Sequence, residues 1–106
     1  MHRVRSDADV FRAIADPTRR AILDRLRKGA VAVNALAADF NQSRPAISKH
    51  LRVLRNAKLV SQERAGRERI YQIQPAPLRS VVGWIEAYST MWRTNLNNLK
   101  RYLEEK

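Results

Sequence analysis

The chain has 106 residues, enough for one hydrophobic core but not two. Its apolar content of 44% excludes an intrinsically disordered chain, and the lack of cysteine excludes disulfides, thiolate metal sites and cysteine nucleophiles. The formal net charge of +11, from 21 basic and 10 acidic residues, calls for a polyanionic partner: DNA, RNA or an anionic membrane surface.

No apolar run approaches the length that crosses a bilayer, and Met1 to Asp9 is polar and charged, so neither an anchor nor a signal peptide is expected. Val10, Phe11 and Ile14 then form a short apolar stripe at helical spacing. Asp16-Pro17 reads as an N-cap followed by proline at the first helical position. The helix it opens turns Ile22, Leu23 and Leu26 inward and is predicted to end at Lys28-Gly29, a cation before a glycine cap. Ala30 to Val33 is a short apolar stretch compatible with a small strand. A third helix follows with Leu36, Ala37 and Phe40 on one face, although Ala32 offers it no capping side chain. Asn41-Gln42 is a turn.

Ser43 caps the fourth helix, with Pro45 in its first turn. Ile47, Leu51 and Leu54 share one face at i, i+4 and i+7, while Arg44, Ser48, Lys49, Arg52 and Arg55 occupy the other. Val60 to Arg64 and Arg69 to Ile73 are predicted strands, with Ala65-Gly66 at the hairpin tip. Gln74-Pro75-Ala76-Pro77 stops the second strand and launches a long last helix. In that helix Leu78, Val82, Ile85, Ser89, Trp92, Leu96, Leu99 and Leu103 make a heptad seam, flanked by a second stripe of Val81, Trp84, Tyr88 and Met91. At 1.5 Å per residue it spans roughly 40 Å. A domain this small cannot cover both stripes, so one is expected to face the domain and the other a second copy.

The predicted fold is mainly α with a small β-hairpin, in the order α1-α2-α3-α4-β-wing-β-α5. It is a single winged helix-turn-helix domain over 1–106, with the helix-turn-helix at 33–57, the wing at 60–74 and a dimerisation helix at 76–104. In such a motif the second helix enters the major groove and its first residues meet base edges. Here those are Ser43, Arg44, Pro45, Ser48 and Lys49. Arg44 can donate two hydrogen bonds to a guanine edge, Ser48 can donate or accept, and Pro45 and Ala46 offer apolar contact to a thymine methyl. Arg52, Arg55 and Lys58 lie further along and suit phosphates. Arg64, Arg67 and Arg69 surround Gly66 on a basic wing. Between Ser43 and Arg69 stand eight basic and two acidic residues, so this segment supplies +6 of the net +11.

Three segments, Phe11–Arg20 (FRAIADPTRR), Ser43–Leu51 (SRPAISKHL) and Gly66–Tyr71 (GRERIY), together resemble the ArsR family of bacterial repressors, in order and over nearly the whole chain. The resemblance implies a homodimer that represses transcription by occupying a palindromic promoter site. It also implies that Ser43, Arg44, Ser48, Lys49 and His50 lie at the DNA. The chain departs from the family in three places. With no cysteine, and histidine only at His2 and His50, it lacks the cysteine or terminal-helix ligands of a family-type metal site, and no metal or other cofactor is expected. Lys58 stands where the family often has glycine, a strain of roughly 1 kcal/mol if the backbone there is left-handed. Ala32 replaces the usual capping serine or threonine.

Simpler readings compete at several positions. Arg44, Lys49 and Arg52 alone would be an ordinary solvated helix face; the wing arginines and the motif order favour DNA. His50 can pack at the edge of the buried stripe or reach a phosphate. Trp84, Tyr88, Met91 and Trp92 can line a small-molecule site, but aromatics at helical spacing are more often core or interface. The expected dimer interface comprises Val10, Phe11, Ile14, Leu78, Val82, Ile85, Trp92, Leu96, Leu99 and Leu103. No phosphate-binding glycine loop, HExxH or nucleophile–base pair supports catalysis, and Asp7 and Asp9 read as surface acids. The sequence therefore reads as a sequence-specific transcription regulator, cytoplasmic and nucleoid-associated, whose partners are double-stranded DNA and a second copy. Its release signal is open between an unidentified small-molecule effector at the dimer interface and none at all, the protein then being a constitutive autorepressor controlled by its own level. The alternative is a sequence-tolerant architectural DNA- or RNA-binding protein. Single-strand RNA binders display aromatics on a sheet, and this hairpin offers only Tyr71.

Overall fold

The computed structural model describes residues 2–105; Met1 and Lys106, the ends of the expected domain, and the side chains of residues 2–6, His2 among them, lie outside the described residues. Helices α1 (His2–Ile14), α2 (Pro17–Leu26), α3 (Val33–Asp39) and α4 (Arg44–Asn56) precede a β-hairpin, β2 (Val60–Ala65) and β3 (Glu68–Ile73). A short strand, β1 (Val31–Ala32), adds to the outer edge of β3, giving an antiparallel sheet of order β1-β3-β2. A 3-10 turn over Ala76–Leu78 leads into α5 (Arg79–Glu104), so the first turn of the predicted last helix is wound more tightly than the rest.

The corner between α1 and α2 shows why Asp16-Pro17-Thr18-Arg19-Arg20 folds as it does. Asp16 caps α2 by accepting from the Arg19 backbone N–H at 3.0 Å, and Pro17 loses no hydrogen bond at the first helical position. The two arginines reach back over the end of α1. Arg19 donates to the carbonyls of Ala13 at 2.7 Å and Arg12 at 2.9 Å. Arg20 donates to those of Ile14 at 2.8 Å and Ala15 at 3.2 Å. Carbonyls at the end of α1 are thus satisfied by the first turn of the next helix, that of Arg12 also accepting from the Ala15 backbone N–H just past the helix. Helix α2 stops at Leu26, two residues short of Lys28, and the positive φ of 144° at Gly29 falls beyond its cap.

Helices α3 and α4 end alike. After α3 the N–H of Gln42 bonds Ala37 O and that of Asn41 bonds Ala38 O; after α4, Leu59 bonds Leu54 O and Lys58 bonds Arg55 O. Each is a Schellman closure around one left-handed residue, Asn41 (φ 51°) or Lys58 (φ 63°). Leu59 and Leu54, both fully buried, supply the apolar contact that accompanies the second closure. No side chain caps the start of α3 at Ala32, as its sequence implies.

Ile22, Leu26, Leu36, Ile47, Leu51, Leu54 and Leu59 form the fully buried centre. Val10 and Ala13 of α1 join it. Val10 was expected in the dimer interface; at 2% exposure it belongs to its own protomer's core instead, because α1 lies across α2 and α4 and turns that residue inward. Asp7 is not a free surface acid either: it accepts a 2.6 Å hydrogen bond from Ser80 and ties α1 to α5.

Helix α5 corrects the expectation that one stripe faces the domain and the other a second copy. The heptad seam itself changes partner along its length. Of the seam, Leu78 packs on the core and Ile85 is half-buried; Val81 of the second stripe also packs on the core, whereas every described residue from Met91 onward is exposed. The helix simply outruns the domain.

Candidate nucleic-acid interface

The basic face of α4 follows from its 100° rotation per residue. With Ile47, Leu51 and Leu54 fully buried, Arg44, Lys49, Arg52 and Arg55 are left exposed and Ser48 half-buried. Ser43, exposed, accepts from the Ala46 N–H at 3.2 Å and fixes the start of the helix, with exposed Pro45 in its first turn. The set predicted for base edges therefore lies on one accessible surface.

The strand register explains the wing. Directly opposite residues share a face in an antiparallel pair. Val60 faces Ile73, Gln62 faces Tyr71, and Arg64 faces Arg69. The inner face thus grades along the hairpin from buried apolar, through a polar pair over the core, to two exposed arginines at the tip. The tip itself is Gly66-Arg67, one residue later than predicted, since Ala65 still pairs with Glu68. Gly66 takes φ 64° at the first central position, as a II′ hairpin turn requires.

Where helix and wing meet they enclose an open cleft of about 210 Å³, lined by Arg44, Arg52, Arg55 and Arg69 with Ser48, Gln62 and Tyr71. The orientation of the Gln62 amide is assigned from its neighbours: its oxygen accepts from Arg55 at 3.1 Å and Arg69 at 3.2 Å, and its nitrogen donates to the Tyr71 hydroxyl at 2.9 Å. The Tyr71 ring is buried, so it cannot stack on an unpaired base. Gln62 and Tyr71 were not predicted for the site. Their signal lay in the period-2 alternation of the strands, which needs the register before it places them beside Arg55.

His50 departs from its predicted group. It sits on the other flank of the buried stripe from Ser48 and Arg55, half-buried against the α1–α2 corner. Its Nδ1 is 3.4 Å from the Arg19 guanidinium and 3.9 Å from the Asp16 carboxylate. Of its two sequence readings, the structure shows edge packing with local polar contacts. The surroundings of Asp16 shift its acidity. The backbone N–H bond from Arg19 chiefly holds its carboxyl below the ordinary aspartate value, opposed by desolvation and helped by the charges of Arg19 and His50.

Among the predicted interface residues Val82, Trp92, Leu96, Leu99 and Leu103 are exposed, as are Trp84, Tyr88 and Met91 of the second stripe. Ile14 and Leu78 pack against the core, and Ile85 is half-buried. Phe11 makes an edge contact with Trp84 at 5.6 Å, and Trp84 another with Tyr88 at 5.5 Å. Among the described residues no three of His, Cys, Asp or Glu lie together as metal ligands would, and no helix is long and apolar enough to cross a membrane.

Known proteins share this arrangement. Residues 14–63 match the family described as "Helix-turn-helix domain". The transcriptional regulator Rv2034 of Mycobacterium tuberculosis is 47% identical over 81 residues, 76% of either chain. The transcriptional repressor SdpR of Bacillus subtilis is 40% identical over 77 residues, 73% of this chain and 86% of that one. An ArsR-like regulator from Rhodococcus sp. RHA1 superposes with a TM-score of 0.72 at 32% identity over 95% of each chain. A homodimeric winged helix-turn-helix DNA-binding domain from Mycobacterium bovis does so at 0.68 and 28% identity, covering 82% of this chain and 83% of that one. With identity of this order spread over most of each protein, the chain belongs to the ArsR family of winged helix-turn-helix transcription regulators, DNA-binding proteins rather than enzymes.

Proposed function

We propose that this chain is a homodimeric repressor that reads a palindromic operator. The observation that carries the reading is the basic surface formed by α4 and the wing, where all eight basic residues of the segment holding +6 of the net +11 are exposed. Two recognition helices related by a twofold axis would enter successive major grooves, about one helical turn apart, and occupancy would block polymerase. Ser43, Arg44, Pro45, Ser48 and Lys49 would meet base edges, with Arg44 bidentate on guanine. Arg52, Arg64, Arg67 and Arg69 would hold phosphates and set register. The second copy would dock on the overhanging part of α5 through Trp92, Leu96, Leu99 and Leu103. Such a protein works at the nucleoid. Release would follow a small ligand at the dimer interface or a fall in the protein's own level.

The test is titration into a duplex carrying the gene's own upstream region, beside a scrambled duplex, at two salt concentrations. Preference for the upstream duplex that survives the higher salt is the expected result for an autoregulating repressor. Equal binding to both, lost with salt through counterion release, would replace it with the architectural reading or an operator elsewhere, which selection from random sequence would separate.

A further inference from the structure

Arg55 and Arg69 come from different elements, the recognition helix and the wing, yet both donate to the same neutral oxygen, that of the Gln62 amide. One amide oxygen cannot neutralise two guanidiniums. Arg64 stands directly across the strand from Arg69, and Arg44 and Arg52 line the same cleft. Like charges held this close repel, so the unliganded arrangement costs stability unless an anion enters. Two N–H groups of Arg55 and one of Arg69 point at Gln62; each guanidinium has five, so both keep donors for a second acceptor. The amide is itself fixed, because its nitrogen bonds the hydroxyl of Tyr71, a residue 6% exposed and part of the core.

We propose that Gln62 is a positioning residue: anchored on Tyr71, it aims Arg55 and Arg69 at one shared backbone phosphate of duplex DNA. The recognition helix and the wing then grip the same strand at the same point, and wing position is coupled to helix docking. A phosphodiester fits this cleft by its single negative charge and several acceptor oxygens, which match converging guanidinium forks. The inference rests on the reading of this face as the DNA surface.

A phosphate contact is blind to sequence, so a duplex of arbitrary sequence, roughly 20 bp, serves as probe. Gln62→Leu is expected to weaken binding by roughly three- to tenfold, the effect of one lost hydrogen-bonding group. In a background carrying Arg55→Ala and Arg69→Ala it is expected to cost nothing further, because there is nothing left to aim. Tyr71→Phe, which removes only the hydroxyl, should give a smaller loss with the same dependence on background. It carries the test if thermal melting shows that Gln62→Leu fails to fold. An equal loss in both backgrounds would mean a purely structural role and overturn the proposal, as would unchanged binding by a folded Gln62→Leu. A parent protein that binds no duplex would remove the DNA reading and this inference together.

Discussion

Asn41 and Lys58 close the two helices of the helix-turn-helix with the same left-handed backbone, but they are not equivalent. Asparagine tolerates that conformation because its short side chain can bond locally; lysine has no such relief. The strain at Lys58 is roughly 1 kcal/mol or more, while glycine placed there would give back about 0.4–1 kcal/mol through unfolded-state entropy. Lys58→Gly is therefore expected to stabilise the fold by up to about 1 kcal/mol, read as a higher urea midpoint with an unchanged m-value. The same variant loses a cation beside the recognition helix and should bind DNA more weakly at low salt. A lower midpoint would show that Lys58 makes a stabilising contact that outweighs its backbone. At this scale the caps were legible, because Asp16 and Ser43 act within their own turns and sequence order alone puts them there. Gln62 was not, because its partners come from α4 and β3, separated in sequence and joined only by register.

At the scale of elements, the α1–α2 corner is where a family-like motif turns out to be structural. Asp16 starts α2, Arg19 and Arg20 finish α1, and His50 brings α4 against both. The helices themselves were readable from apolar spacing, and the hairpin from its central glycine. The small strand was legible as the apolar stretch Ala30 to Val33, and β3 lends it the edge it needs. What escaped was set by neighbours: the dimer role assigned to Val10 failed because α1 crosses α2 and α4. The corner also titrates. The folded pKa of Asp16 is depressed, so its contribution is present above the ordinary value of 3.8 and is lost as pH falls through the lower, folded value. Asparagine caps helices about as well but cannot titrate. Thermal melts are therefore expected to show the parent losing more Tm than Asp16→Asn as pH falls below 3.8. Parallel losses in the two proteins would mean that other carboxylates account for the acid sensitivity.

The whole molecule is too extended to be complete alone. Its radius of gyration is 18.0 Å, against roughly 13 Å for a compact chain of this length. Its accessible surface is 8206 Å², against about 6,100 Å² for a folded monomer of 12.3 kDa. The excess is of the size that stable protein interfaces bury. It comes from α5, about 39 Å long, whose described residues from Met91 onward are all exposed. The heptad seam was legible in the sequence, but where the domain stops covering it was not, because that depends on the thickness of the core beneath. Leu96 lies well past that point, 65% exposed. Glutamate there would place a charge in the centre of the proposed seam, where the closing interface would have to desolvate it. Light scattering on Leu96→Glu is expected to give the 12.3 kDa protomer where the parent gives twice that mass. Because two recognition helices can no longer engage together, operator affinity should fall with it, while the melting of the protomer's own core stays near that of the dissociated parent. A dimer of undiminished mass would mean that the overhang of α5 is not the contact, and the second copy would have to be sought on another face.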